Sequence, residues 1–290
     1  MRGNKGSGDK VKASHHQRTP GDTLRKVLPK VIRCRIGAVI GELLPRHPHL
    51  AIAYFALMFG LKIRIAPNWM FLGHAGNSAI EFPRNEVWTF IEIYHDNVYE
   101  RELQVHKGAT VIDVGAHVGF FTLKAASETG PKGKVVAIEP EPRNVELLKR
   151  NVERNALVNI AIVNKAAWNK CGKAPLYLGI SSKTHSLITP SNGQIQVCVD
   201  TLDHIADELG LSHVDFVKID TEGAELEVLK GAEDILNSDG IKLSIAAYHM
   251  LPDGSPEFPH IIDYLRTKGF QIHTYTQDGS CYIYAEREPT

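Results

Sequence analysis

The sequence predicts an α/β protein built on an open, mainly parallel sheet that finishes in an antiparallel hairpin. Three observations carry this reading. From about residue 105 onward, short apolar runs alternate with segments of helical spacing. The first of those runs feeds a glycine turn in VIDVGAHVGFF, residues 111–121. The last two runs, FQIHTYT and SCYIYAE, flank Gln277-Asp278-Gly279, an Asp-Gly hairpin signal.

The apolar runs at 110–114 (TVIDV), 134–138 (KVVAI), 159–163 (NIAIV), 214–219 (VDFVKI) and 241–248 (IKLSIAAY) read as strands buried on both faces. Between them, Val145, Leu148 and Val152 recur at helical spacing. Leu202, Ile205, Ala206 and Leu209 form a fuller stripe, with Asp200 placed to cap it and Gly210 to end it. Leu226, Leu229, Ala232 and Leu236 repeat the pattern after the fourth strand. Phe258, Ile261, Ile262 and Leu265 do so again, between Ser255-Pro256 and Gly269. Upstream, residues 1–24 read as a basic disordered tail and 25–100 as a helical or mixed cap. The cap is expected to hold a helix at 50–60 and a strand-like EVWTFIEIY at 86–94. Residues 101–290 form the sheet domain.

At 43% hydrophobic and 23% charged residues, the chain has ample material for a core. The net charge of zero hides an asymmetry: residues 1–35 carry ten Lys or Arg against Asp9 and Asp22. Such an arm reads as a solvated tail or as a foot for nucleic acid or anionic lipid. LAIAYFALMFGL, twelve residues at 50–61, is well short of the roughly 20 a membrane-crossing helix needs. Cys34, Cys171, Cys198 and Cys281 form no CxxC pair, and no histidine sits in a zinc-finger or HExxH spacing. Scattered thiols and a basic N-terminus without an apolar segment behind it lead us to expect a cytoplasmic protein.

The turn Asp113-Val-Gly115-Ala116-His117-Val-Gly119 is DxGxxxG. It is neither the GxGxxG of dinucleotide sites nor the GxxxxGK[ST] of phosphate loops, and both of those wrap amides around phosphates. Their absence suggests a nucleoside without phosphates, and S-adenosylmethionine is such a ligand. Asp113 is placed to receive its ammonium group, and amides at the helix start its carboxylate. Gly115 and Gly119 allow close approach. Glu139, twenty residues after Gly119 in VVAIEP with Pro140 behind it, is placed to accept hydrogen bonds from ribose hydroxyls. His117 reads either as a space-filling polar residue or as a contact to the methionine part. Ala166, in Asn164-Lys165-Ala166-Ala167-Trp168, leaves room for an adenine plane, with Trp168 expected to pack rather than stack.

VIDVGAHVGFF, VVAIEPEPRNVELLKRNVERN and VDFVKIDTEGAELEVLKGA together resemble the FkbM family of S-adenosylmethionine-dependent methyltransferases, over roughly residues 85–245. The resemblance implies a Rossmann-like class I methyltransferase fold, a seven-stranded sheet with one antiparallel strand. It implies O-methylation of hydroxyls on small molecules, sugars or lipids as the activity. It assigns the cofactor role to Asp113, Gly115, Gly119 and Glu139. On the fifth strand the family's acid-then-His pattern is replaced by Ala246-Ala247-Tyr248-His249, so only His249 carries over.

In Lys218-Ile-Asp220-Thr-Glu222-Gly-Ala-Glu225, strand alternation puts Lys218 and Asp220 on one face. A lysine inside a central strand needs a carboxylate, which Asp220, Glu222 or Glu225 could supply. One reading is a buried ion pair that orients the loop. The other sets Asp220 beside the cofactor's methyl and Glu222 near the acceptor hydroxyl, with Asp220, Glu222 and His249 as candidate proton acceptors. A divalent metal such as Mg²⁺ could bridge these acids to the acceptor, though no ligand spacing demands one. The polar segment 181–187 is expected to be a loop facing the substrate. The expected partner is a hydroxylated small molecule or glycan. An RNA methyltransferase using residues 1–35, a non-catalytic cofactor-binding module and an NAD-dependent oxidoreductase are the weaker alternatives. The absent GxGxxG weighs against the last.

Overall fold

The computed structural model describes residues 62–67, 70–76, 78–179, 182, 184–277 and 279–288. The expected tail, the basic arm and the apolar helix at 50–60 lie outside the described residues, as do Ser181, Lys183 and Asp278. The described chain opens with an antiparallel meander, β1 (Lys62–Ile65), β2 (Met70–Ala75) and β3 (Ser78–Pro83), followed by α1 (Val87–Tyr94). Then come β4 (Thr110–Val114), α2 (Phe120–Thr129), β5 (Lys134–Ile138), α3 (Pro142–Arg154) and β6 (Ile160–Val163). Next are β7 (Ala166–Ala167), β8 (Gly172–Tyr177), β9 (Gln194–Asp200) and α4 (Leu202–Glu208). The chain ends through β10 (Phe216–Ile219), α5 (Glu225–Lys230), β11 (Lys242–Ala246), α6 (Phe258–Thr267), β12 (Gln271–Gln277) and β13 (Ser280–Glu286).

Seven strands form the main sheet in the order β12-β13-β11-β10-β4-β5-β6. Only β13 runs antiparallel to its neighbours, inserted between β11 and β12. All five strands expected between 110 and 248 are present, and so is the terminal hairpin, with Gly279 at φ +83° in its turn. Chain order reverses between β4 and β10, which pair in parallel. Strand ends on either side of such a reversal open a crevice.

Four expectations need correction. Residues 87–94 are helical, not strand-like: Val87, Phe90 and Ile91 are buried at i, i+3 and i+4. Their β-branched and aromatic character suggested a strand, but packing of Phe90 against Phe82 and Phe120 overrides that propensity. The stripe of α4 is capped by Thr201, whose hydroxyl accepts from His204 N, while Asp200 accepts from Thr201 N. The expected strands omit the segment after β6, where β8 and β9 pair with β7 alongside β9. The fourth correction concerns the partner of Lys218. Its ammonium is 3.1 Å from Asp113 Oδ1, across the β4–β10 register, and not on any acid of its own strand end. It also donates to Val114 O (3.2 Å) and Gly115 O (2.8 Å).

Two asparagines of α3 seat the meander. Asn151 accepts from Glu81 N and donates to Glu81 O and Val118 O. Asn155 accepts from Ala79 N and donates to Ala79 O. These amides pair with β3 along its outer edge as a further strand would.

Lys218→Met leaves the Asp113 carboxylate buried without its cation. A loss of about 3–5 kcal/mol is expected, read from denaturant midpoints. The double variant Asp113→Asn/Lys218→Met is expected to recover part of it, because no unpaired charge then remains.

Candidate active site

A cavity of about 360 Å³ opens at the carboxyl ends of β4, β5 and β10, on the crevice where the chain order reverses. Gly115, Ala116, His117, Glu139, Pro140, Ala166, Asp220 and Glu222 all line it. Asp113, Gly119 and His249 do not line it, and each has another task.

Asp113 is fully buried, receives the Thr122 hydroxyl at 2.5 Å and pairs with Lys218. Its carboxylate is turned into the sheet, so it is not the acceptor for a ligand ammonium that its strand-end position suggested. Gly119 caps α2 at φ +96°, and a Cβ there would lie 2.5 Å from Leu148 Cδ1. What approaches closely at this glycine is α3. At Gly115, φ +76°, a Cβ would fall 1.9 Å from Asp220 O. The glycine therefore lets the β4 turn and the end of β10 meet, which is what puts Asp220 into the cavity.

Glu139 is 6% exposed and takes hydrogen bonds from His117 N (2.8 Å), Glu141 N (3.1 Å) and Asn144 Nδ2 (3.0 Å). Burial raises its pKa to about 7 against the pull of those bonds. His117, at φ +51°, has its ring Nε2 2.8 Å from Ser182 Oγ, so the turn touches the polar segment that lies over the strand ends. Ala166 and Ala167 form part of the floor, whereas Trp168 packs in the small core of β7–β9.

Asp220 is oriented by a residue that sequence patterns do not reveal. The Tyr99 hydroxyl donates to Asp220 Oδ2 at 2.6 Å, leaving Oδ1 buried and without a hydrogen bond. Burial, followed by the Asp220 charge, holds the Tyr99 pKa well above its ordinary value, so the phenol remains a donor. Tyr99 falls in no periodic run, and only the fold brings it 121 residues along the chain to Asp220.

Glu222 holds φ +56° ahead of Gly223 at φ +98°. A non-glycine residue in that region costs of order 1–3 kcal/mol and persists only where its surroundings impose it. Here Ser186 Oγ donates to Glu222 O, and Glu225 accepts from Thr221 N and Gly223 N. The Glu222 carboxyl is raised by burial, then by Asp220 and Glu225, with His249 opposing.

The His249 ring lies between three acids: Nδ1 is 3.1 Å from Glu225, and Nε2 is 3.6 Å from Glu222 and 3.8 Å from Asp220. Burial alone would lower its pKa, but the three carboxylates outweigh it and raise it to about 11. The acids around His249 thus shift it toward the protonated form, which favours Asp220 and Glu222 over it as proton acceptors. Asp220, Glu225 and His249 also present donor atoms within 4.8 Å of one another. Both ring nitrogens face these carboxylates. The Glu225 carboxyl, despite burial, is lowered to about 2 by His249 first, while Glu257 beside it is raised to about 9, by burial and then by Glu225.

The sheet order, the glycine turn and the acid at the end of β5 define a class I, Rossmann-like methyltransferase fold. The family profile described as the methyltransferase FkbM domain matches residues 113–272, and the chain belongs to this family of S-adenosylmethionine-dependent methyltransferases. Methyltransferase sdnD of Sordaria araneosa is 27% identical over 177 residues, 49% of this chain and 67% of that protein. The AMB antimetabolite synthetase AmbE of Pseudomonas aeruginosa is 26% identical over 226 residues, 64% of this chain but 10% of that protein. Among solved structures, a methyltransferase FkbM from Methylobacillus flagellatus aligns with a TM-score of 0.47 at 20% identity, over 69% of this chain and 54% of its own. The chain thus spans about half the length of that relative. Among the described residues, no helix is long and apolar enough to cross a membrane.

His249→Leu removes the cation from a buried carboxylate cluster and is expected to cost about 3–5 kcal/mol. The sign of the pH dependence follows from a raised pKa. The His249 contribution is fully present below the unfolded value of about 6.5 and fades as pH climbs toward about 11. Denaturant titrations of both proteins across that range should converge at the alkaline end.

Proposed function

We propose that this protein transfers a methyl group from S-adenosylmethionine to a hydroxyl on a small molecule, sugar or glycan/lipid acceptor. The observation that carries the reading is the pair of acids at the end of β10. Asp220 offers a buried carboxylate oxygen without a hydrogen bond, and Glu222 lines the same cavity under backbone constraint. The residues present fit the cofactor. Glu139, at the end of β5, suits ribose hydroxyls, Ala166 and Ala167 leave space for a flat base, and Asp220 lines the same cavity.

When bound, the cofactor supplies an electrophilic methyl on a sulfonium. The protein's own contribution is chiefly alignment, which can be worth roughly 7–11 kcal/mol in such a displacement. As the acceptor oxygen gains its bond to carbon, its proton passes to Glu222. A carboxyl raised above the usual range is better matched to that task than an ordinary one. The His249 imidazolium, 3.6 Å from Glu222, steadies the anionic form before the transfer.

Thermal unfolding with S-adenosylmethionine, S-adenosylhomocysteine and NAD in turn tests the cofactor. At 100 times the dissociation constant a ligand stabilises by about 2.7 kcal/mol, a midpoint rise of roughly 4–6 °C at this size. The two sulfur nucleosides should raise it and NAD should not, and a shift with NAD alone overturns the reading. Glu222→Gln should then lower kcat by on the order of 10²-fold without abolishing turnover, and leave the nucleoside shift in place. The parent enzyme should lose activity as pH falls through a value above the ordinary Glu pKa of about 4.3, and the variant should lack that limb. If Glu222→Gln instead erases nucleoside binding, Glu222 holds the cofactor and is not the base.

A further inference from the structure

Outside the cavity, three potential metal donors meet on the β7–β9 unit. Cys171 lies in the turn between β7 and β8, Asp200 ends β9, and His204 stands in the first turn of α4. Local pairing brings them together. Gly172 pairs with Val199, which sets Cys171 opposite Asp200, and Thr201 accepts from His204 N, which turns the imidazole back over the strand end. Cys171 Sγ is 2.8 Å from Asp200 Oδ1, and His204 Nδ1 is 2.9 Å from Oδ2. All three donor atoms fall within 4.8 Å of one another. Asp200 is buried at 4% exposure, whereas Cys171 and His204 are exposed, so the carboxylate forms a fixed floor under two accessible ligands.

We propose that Cys171, Asp200 and His204 bind a divalent transition-metal cation of the zinc class, with water completing the shell. A thiolate, an imidazole nitrogen and a carboxylate oxygen are the donor types zinc takes, and three protein ligands plus water is a common open arrangement. The hydrogen-bonded spacings are shorter than the donor separations around a tetrahedral ion whose bonds are about 2.0–2.3 Å. The site therefore loads by outward rotation of its two exposed members. Binding of the ion removes the thiol proton to solvent.

One feature of the site sets its affinity. Lys165 Nζ lies 2.8 Å from Asp200 Oδ2 and 2.7 Å from Glu208 Oε2, so an arriving cation competes with an ammonium group already in place. Glu208 is positioned to retain Lys165 when the metal takes its place on Asp200. The site touches the cavity through backbone. Trp168 N donates to Asp200 O at 2.8 Å, and Ala167, in the cavity floor, pairs with Asp200.

Chelator-treated full-length protein titrated with Co²⁺ tests this independently of methyl transfer. A single Co²⁺ per chain should produce a near-ultraviolet thiolate-to-metal charge-transfer band, which Zn²⁺ then bleaches. Cys171→Ser should abolish the band, His204→Ala should weaken binding by about tenfold or more, and Lys165→Met should tighten it. Unchanged circular dichroism and thermal midpoints without metal identify variants that remain folded. No thiolate band in the parent, a band that survives Cys171→Ser, or a folded Lys165→Met protein that binds no more tightly overturns the proposal.

Discussion

The site depends on one buried ion pair. Lys218 and Asp113 face each other across the two strands between which the chain order reverses. An ammonium this deep is tolerated because Asp113 neutralises it and two carbonyls of the following turn take its remaining hydrogens. Through those carbonyls the lysine fixes the path of the turn, and through Gly115 that path admits the backbone of Asp220. A charge inside the sheet thereby sets the shape of a loop above it. The cost of desolvating both partners is offset by their mutual attraction and by the two carbonyl bonds.

Above that pair lies a second tier of charge with a different character. Asp220, Glu222 and Glu225 surround a single imidazolium, and the most buried acid, Glu225, takes its strongest share of it. The result is graded rather than uniform. Glu225 is shifted downward by His249, while burial shifts Glu257 beside it and Glu222 at the cavity wall upward.

The parallel sheet was legible in the sequence because strands buried on both faces are short, nearly unbroken apolar runs, as in 110–114 and 134–138. The cavity-lining residues Gly115, His117, Glu139 and Asp220 were legible because they sit at strand ends, where local pattern fixes their place. What escaped was set by distant contacts. The meander β1–β3 is half exposed and interrupted, and 87–94 carries strand-type residues on a helical stripe. Asp113 gave the correct position but not its orientation, since its partner lies on another strand more than a hundred residues away. Tyr99 belongs to no motif, and no local pattern marks the two asparagines of α3, whose partners in β3 are main-chain groups 70 and 76 residues away.

Those asparagines have a consequence for how the fold can diversify. Asn151 and Asn155 hold β3 only through the main-chain atoms of Ala79 and Glu81. These bonds do not depend on which side chains stand at 79 and 81, whereas the buried Ile80 and Phe82 between and beyond them are held by packing. The next element, α1, supplies Trp88, Thr89, Glu92 and Ile93 to the cavity wall. The acceptor side of the cavity is thus seated by main-chain hydrogen bonds from α3 together with the Arg154–Glu81 ion pair and the packing of Phe82 on Phe120.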